Sequence, residues 1–333
     1  MPKRQTTPDL GEHEIIRLIQ NSLTPMPNAP VPFGDDVAAV KLGNDKVGVL
    51  KTDMLVGKTD IPKGMSLWQA ARKAIVMNVS DFASKGVKPS AALVALGLPK
   101  TFTKTEVEEI GKGLNSGARE HDAYVIGGDT GEASDLTISV SLFGVANQQA
   151  LMLRSGAKPE DILAVTGFFG KPPAGLLLLL GKEHVAEVAL RRVLVDAVFM
   201  PKARLAEGLA LANSGAVSAS MDSSDGLAWT LHELARCSNV GFELSSAAVS
   251  PEIEEFARRN GLDAVDLALY GGEEYELVMT IKPQRWDTAV AVIEAVGGSL
   301  LQIGKATKEK EIILNLDGKK RWIEARGWEH FKS

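Results

Sequence analysis

Six aspartates sit beside glycine, serine or threonine in five separate stretches of this chain. They are Asp36 in Gly34-Asp35-Asp36, Asp53 in Lys51-Thr52-Asp53, Asp81 in Asn78-Val79-Ser80-Asp81, Asp129 in Gly127-Gly128-Asp129-Thr130-Gly131, and Asp222 with Asp225 in Met221-Asp222-Ser223-Ser224-Asp225-Gly226-Leu227. Small neighbours let backbone approach a ligand closely. Two carboxylates about 4 Å apart repel by ~4 kcal/mol at an effective dielectric near 20, so if these acids converge, cations must join them. Hard oxygen ligands without His or Cys select Mg²⁺ or Mn²⁺, and Mg²⁺ characteristically links protein carboxylates to substrate phosphates. The chemistry such a set could do is metal-assisted phosphoryl transfer. Each stretch also has a plainer reading as a helix cap or a solvated loop, with Ser223 or Ser224 capping the helix that follows. Spacing leaves both open.

No competing constellation is visible. His13, His121, His184, His232 and His330 fall on separate polar segments and read as surface or packing residues. The single cysteine, Cys237, excludes an internal disulfide, makes a thiolate metal site implausible and reads as a packing residue, so a cytoplasmic protein is expected. A net charge of -5, from 37 Lys+Arg against 42 Asp+Glu, argues against nucleic-acid partners. The first eight residues lack the apolar core of a signal peptide, and the apolar run at 176–180 is too short to span a bilayer.

The elements that must position the acids read as α/β. At 333 residues, with 45% hydrophobic content, two domains are expected, divided at 1–148 and 149–333, where Asn147-Gln148-Gln149 breaks the apolar pattern. Residues 1–9 read as a tail, and 12–23 as a helix. A strand over 46–50 should end at the Asp53 stretch, and a helix from Ser66 to 79 should run into the Asp81 stretch. Strands follow at 91–98, 123–126 (breaking into the Asp129 stretch) and 136–146, with a helix at 106–120 weakened by Gly111, Gly113 and Gly117. In the second half strands are expected at 161–165, 216–221, 242–244, 275–281, 300–303 and 312–316, with helices between them. The turn Thr166-Gly167-Phe168-Phe169-Gly170 has a phosphate-loop order, yet it lacks a Gly-Lys-Ser/Thr ending and reads better as tight packing.

In chain order, Gly34-Asp35-Asp36, Thr52-Asp53, Asn78-Val79-Ser80-Asp81, Gly127-Gly128-Asp129-Thr130, Arg154-Ser155-Gly156-Ala157-Lys158-Pro159, Asp222-Ser223-Ser224-Asp225-Gly226 and Gly271-Gly272-Glu273-Glu274-Tyr275-Glu276-Leu277 resemble the thiamine-monophosphate kinase family. The likeness runs from about residue 11 to Phe331. Several of these motifs belong to the wider aminoimidazole ribonucleotide synthetase superfamily; the Glu273 stretch and Gly327-Trp328-Glu329-His330-Phe331 are similar to the kinase branch. The resemblance implies an N-terminal α/β domain that forms a barrel with its copy in a homodimer, and a C-terminal α/β domain packed beside it. It implies transfer from ATP to thiamine monophosphate, giving thiamine diphosphate and ADP without a phosphoenzyme. Position by position, it makes Asp36, Thr52, Asp53, Asp81, Asp129, Asp222 and Asp225 Mg²⁺ ligands. Gly128, Asp129, Arg154 and Ser224 become ATP contacts, and Glu273 and Trp328 contacts of the thiamine moiety. Lys51 departs from a Ser or Thr frequent in the family, and Asp60 from a His found in some members. Rival readings are a purine-pathway synthetase of the same superfamily and a non-catalytic Mg²⁺ and nucleotide-binding protein. Selenophosphate synthesis and hydrogenase maturation would need cysteines near the N- or C-terminus that this chain lacks.

Overall fold

Strand alternation and helix capping build two sheets with one long helix between them. The computed structural model describes residues 6–181 and 183–331. In the first half, β1 (Ala38–Gly43), β2 (Lys46–Val56), β3 (Pro89–Leu98), β4 (Tyr124–Glu132) and β5 (Thr137–Asn147) form a sheet of order β1-β2-β5-β3-β4. All neighbours are antiparallel except β3 and β4, which run parallel. Among the described residues five helices accompany it: α1 (Thr7–Leu10), α2 (Glu12–Gln20), α3 (Gly57–Asp60), α4 (Leu67–Ser84) and α5 (Lys104–Arg119), the last packed on α4.

Three of the acidic stretches are not turns. β2 does not stop at Leu50, because Val47, Val49, Lys51, Asp53 and Leu55 continue one inward-facing row. β4 likewise runs straight through Gly127 to Gly131, paired with β3. The Asp81 stretch lies inside α4, whose burial on all sides lets it continue to Ser84. Ser66 caps α4 as expected, accepting from the Gln69 N–H at 3.2 Å. The first nine residues are not all tail: Thr6 and Asp9 form a capping box on α1, while 1–5 lie outside the described residues. The glycines of α5 have a packing reason. A Cβ at Gly113 would collide with the Trp68 carbonyl, and one at Gly117 would lie 3.0 Å from the Arg72 carbonyl, so they let α5 press against α4.

The second half holds β6 (Ile162–Val165), β7 (Val217–Asp222), β8 (Gly241–Leu244), β9 (Leu277–Ile281), β10 (Leu301–Thr307), β11 (Ile312–Leu316) and β12 (Lys319–Trp322), in the order β12-β11-β8-β10-β6-β9-β7. Its helices are α6 (Lys171–Leu180), α7 (Val188–Phe199), α8 (Leu205–Ser214), α9 (Leu227–Ser238), α10 (Pro251–Asn260), α11 (Ala264–Tyr270) and α12 (Trp286–Glu294). The sequence reading did not anticipate α11, which Asp263 caps through the Val265 and Asp266 N–H groups. No described helix is long and apolar enough to cross a membrane.

α4 touches both halves. It packs on β2 and β5 on one side and on α8 and β7 on the other, with Gly208 of α8 set against the Ala83 carbonyl. The face of the first sheet away from α4 is bare: Leu50, Met54, Leu93, Phe143 and Val145 are exposed there, and every residue of the edge strand β4 is exposed. Among the described residues no barrel closes within one chain.

The phosphate-loop-like turn at 166–170 is filled by the protein's own acids. The Gly170 N–H donates to the buried Glu274 carboxylate, the Thr166 hydroxyl donates to Glu276 at 2.6 Å, and Arg204 forks onto the same Glu276 (Nε 2.8 Å, Nη2 2.5 Å). The tight-packing reading of this turn therefore holds. Glu276→Ala leaves Arg204 only its longer contact to Glu207 at 3.4 Å and takes the acceptor from the Thr166 hydroxyl, and it should cost about 3 kcal/mol of unfolding free energy, measured by chemical denaturation.

Candidate active site

Asp36, Asp81 and Asp222 are buried together, each offering a carboxylate oxygen within 4.8 Å of the others. They arrive from three elements: the loop before β1, the last turn of α4, and the end of β7 in the other sheet. Helical spacing on α4 lets one helix serve all three. The Ser80 hydroxyl donates to Asp222 at 2.6 Å, and the Ser84 hydroxyl to Asp36 at 2.8 Å. Lys85, fully buried, lies 2.7 Å from Asp36 and 2.8 Å from Asp35 and donates to the Ser220 carbonyl at 2.6 Å. Arg154 completes the Asp36 side: Nε donates to Asp36 at 2.7 Å, Nη2 to the same oxygen, and Nη1 to the Gly34 carbonyl at 2.9 Å.

Charge is unevenly distributed across this seam. Burial works against ionisation of Asp36, but Lys85 and Arg154 outweigh it and hold the carboxyl well below its ordinary range. Asp81 goes the other way: burial raises it well above the usual value, Asp222 and Asp53 add to the effect, and Lys51 only partly offsets it. Asp222 is pushed up to about 6 by burial and by Asp36, against the Ser80 hydrogen bond. Asp225 is pushed up to about 7 by burial, Glu12 and Asp222. Three carboxyls short of positive charge, made only of hard oxygens, fit a divalent cation such as Mg²⁺.

The remaining predicted residues divide into groups. Asp53 joins the seam through Lys51, whose ammonium lies 3.1 Å from Asp53 and 3.0 Å from Asp81. Burial would lower the Lys51 pKa, but Asp81 and Asp53 raise it well above that of a free lysine. The Thr52 side chain lies on the opposite, bare face of the sheet, where it donates to the Val140 carbonyl at 3.1 Å and accepts from Ser141. Gly128 and Asp129 are on the exposed edge strand. Asp129 pairs with Ala95, in the row of Ser139 and Met54, three strand spacings of about 4.8 Å from β2. Within one chain the structure does not bring them to Asp36, Asp81 and Asp222.

Ser224, Asp225, Glu273 and Trp328 meet at one turn. The Glu273 N–H donates to the Ser224 carbonyl at 2.6 Å, and the Trp328 N–H to the Asp225 carbonyl at 2.9 Å. Glu273, with φ 67°, sends its carboxylate to the buried Lys73 of α4 at 2.5 Å. Trp328 is 59% exposed. The helix after this turn is not capped by serine: Gly226, at φ 111°, is the N-cap, and the Ser223 hydroxyl is buried without a protein partner. His13 stacks on Trp229 with ring centroids 4.3 Å apart, and His232 and His121 contact backbone carbonyls, in keeping with packing roles.

Lys73, Ser80, Ser84 and Lys85 were missed by sequence reading. Their signal was available, since 73, 80 and 84 recur at one-face helical spacing around Asp81.

Two sheets joined by an acidic seam are the arrangement of a known class. Sequence models of the AIR synthase related protein match this chain, its N-terminal domain over residues 34–146 and its C-terminal domain over 158–317. Thiamine-monophosphate kinase of Nitrosopumilus maritimus is 35% identical over 97% of this chain and 99% of its own, and that of Pyrococcus horikoshii 34% over 90% and 91%. The solved structure of AaThiL complexed with AMPPCP and TMP superposes with a TM-score of 0.85 at 29% identity, covering 98% of this chain and 99% of that one. The chain belongs to the thiamine-monophosphate kinases of the AIR synthase related family.

Proposed function

We propose that this protein transfers the terminal phosphoryl group of ATP to thiamine monophosphate in one direct step, with Mg²⁺ (or Mn²⁺) held at Asp36, Asp81 and Asp222 and with Asp53 and Asp225 at its margins. The observation that carries the reading is the convergence of those three buried carboxylates from both halves of the chain. Bound there, the metal would supply the positive charge that lets two phosphate anions approach.

The residues of the chain do the positioning. The acceptor phosphate, with a second pKa near ~6, is already largely ionised at pH 7, so no general base is needed. Ser80 and Ser84 fix which oxygen Asp222 and Asp36 present. Arg154 offers a guanidinium at the edge of the seam for a phosphate oxygen. Ser224 lies in the same turn, and Glu273 and Trp328 are placed beside it for the heterocyclic end of the acceptor. Incubation with ATP, Mg²⁺ and thiamine monophosphate should yield thiamine diphosphate; no product from folded protein would overturn the proposal. A phosphorylated aspartate trapped during turnover would overturn direct transfer.

A homodimer is part of the proposal. The bare face of the first sheet exposes Leu50, Met54, Leu93, Phe143 and Val145 side by side, and a second copy is the occupant that family membership implies. Asp129 lies on that face and Gly128 precedes it on the exposed edge strand, so we assign their nucleotide contacts to the neighbouring subunit's site. Cysteine usage supports a cytoplasmic setting.

Metal affinity should depend on pH with a definite sign. Asp222 and Asp225 carry raised pKa values of about 6 and about 7, so below pH 6 protons compete with the cation for the same oxygens. Mg²⁺ affinity, titrated calorimetrically without nucleotide, should rise between pH 5.5 and 8 with release of protons, and level off above that.

A further inference from the structure

We propose that the Lys51 ammonium is a built-in cation of this site, occupying the place between Asp53 and Asp81 that a second divalent ion would otherwise take. The inference deepens the metal reading above and rests on it.

Lys51 comes from an inward-facing position of β2 and is flanked two residues on by Asp53, so strand alternation puts both side chains on the face that meets α4. Its Nζ lies 3.1 Å from an Asp53 oxygen and 3.0 Å from an Asp81 oxygen, and the side chain is 19% exposed. An ammonium at these distances bridges two carboxylates in the way a hard cation does, but it cannot leave. Lys51 offsets one of the two negative charges that Asp53 and Asp81 bring together. Without Lys51 that pair has no cation at bridging distance among the described residues and stands open to a second ion. Lys85 and Arg154 cannot substitute, since both are committed to Asp36.

The test counts Mn²⁺ ions by electron paramagnetic resonance on the full chain without nucleotide. Wild type should bind one Mn²⁺ per subunit in the seam, Lys51→Ser two, and Lys51→Arg one. Thermal melting of metal-free Lys51→Ser should fall below wild type and be restored by Mn²⁺. An unchanged Mn²⁺ count in a folded Lys51→Ser variant would overturn the proposal. Should Lys51→Ser not fold, Asp53→Asn decides: the Mn²⁺ count stays at one if Lys51 is the partner of Asp53, and an ion lost on this change overturns the proposal. Wild type binding no Mn²⁺ at all would instead overturn the metal reading on which it rests.

Discussion

Asp222→Asn should lower kcat by roughly 10³-fold while the metal-free protein melts no lower than wild type. The carboxylate is the second half's contribution to the acidic seam proposed to hold the metal, whose other carboxylates, Asp36 and Asp81, lie in the first half. Losing it removes several kcal/mol of metal-held charge stabilisation in the transition state, and each 1.36 kcal/mol is tenfold in rate. The stability sign follows from the raised pKa of about 6: at pH 7.5 the folded chain must hold this carboxylate ionised against burial and Asp36, a cost an amide does not carry. Ser80 can still donate to the amide oxygen, so the local hydrogen bond survives. Steady-state kinetics with excess Mg²⁺ and a thermal melt in chelator check the two halves. A variant that keeps activity, or one that loses activity only because it unfolds, would contradict the assignment.

The second expectation is complementation between two dead variants. Asp129→Asn alone should lose activity severely, although Asp129 lies on an exposed strand on the far side of the sheet from Asp53. If it serves the neighbouring subunit, a mixed dimer of Asp129→Asn with Asp222→Asn carries one intact site and one doubly defective site. Random exchange of equal amounts makes half the dimers mixed, so activity should recover to about a quarter of wild type. No recovery after exchange, with mixed dimers demonstrated by tagged chains, would confine Asp129 to a role within its own chain.

Much of the site could be read before any coordinates because its acids recur beside small residues, a local signal. Asp36, Asp81 and Asp222 converge as the family resemblance implied. What escaped was set by long-range geometry. Asp53 and Asp129 looked like turn residues, because Asp itself and the glycines around Asp129 are weak strand signals; pairing with β5 and β3 overrides that weakness. Thr52 and Asp53 are adjacent, and adjacency on a strand sends them to opposite faces. The Ser223 cap failed because the turn bends through Gly226 and commits the Ser223 backbone to Glu276 and Tyr275 instead. Glu274 and Glu276 sit in the same stretch as Glu273 yet point into the core, where their partners Gly170, Thr166 and Arg204 are 104, 110 and 72 residues away in sequence and invisible to local pattern.

The position of α4 also bears on how the chain is made. Ser80 finds Asp222 across 142 residues, and Lys85 finds the Ser220 carbonyl across 135. At ribosomal speeds of roughly 5–20 residues per second, the helix waits about 7–30 s after synthesis before its second partner surface exists. During that interval a buried lysine and the small-residue face around Ala83 stand uncovered. The nascent first half is therefore the stage at which this protein most depends on holdase protection, and destabilising changes on the α8-facing side of α4 should show first as lost yield rather than as altered kinetics of the enzyme that survives.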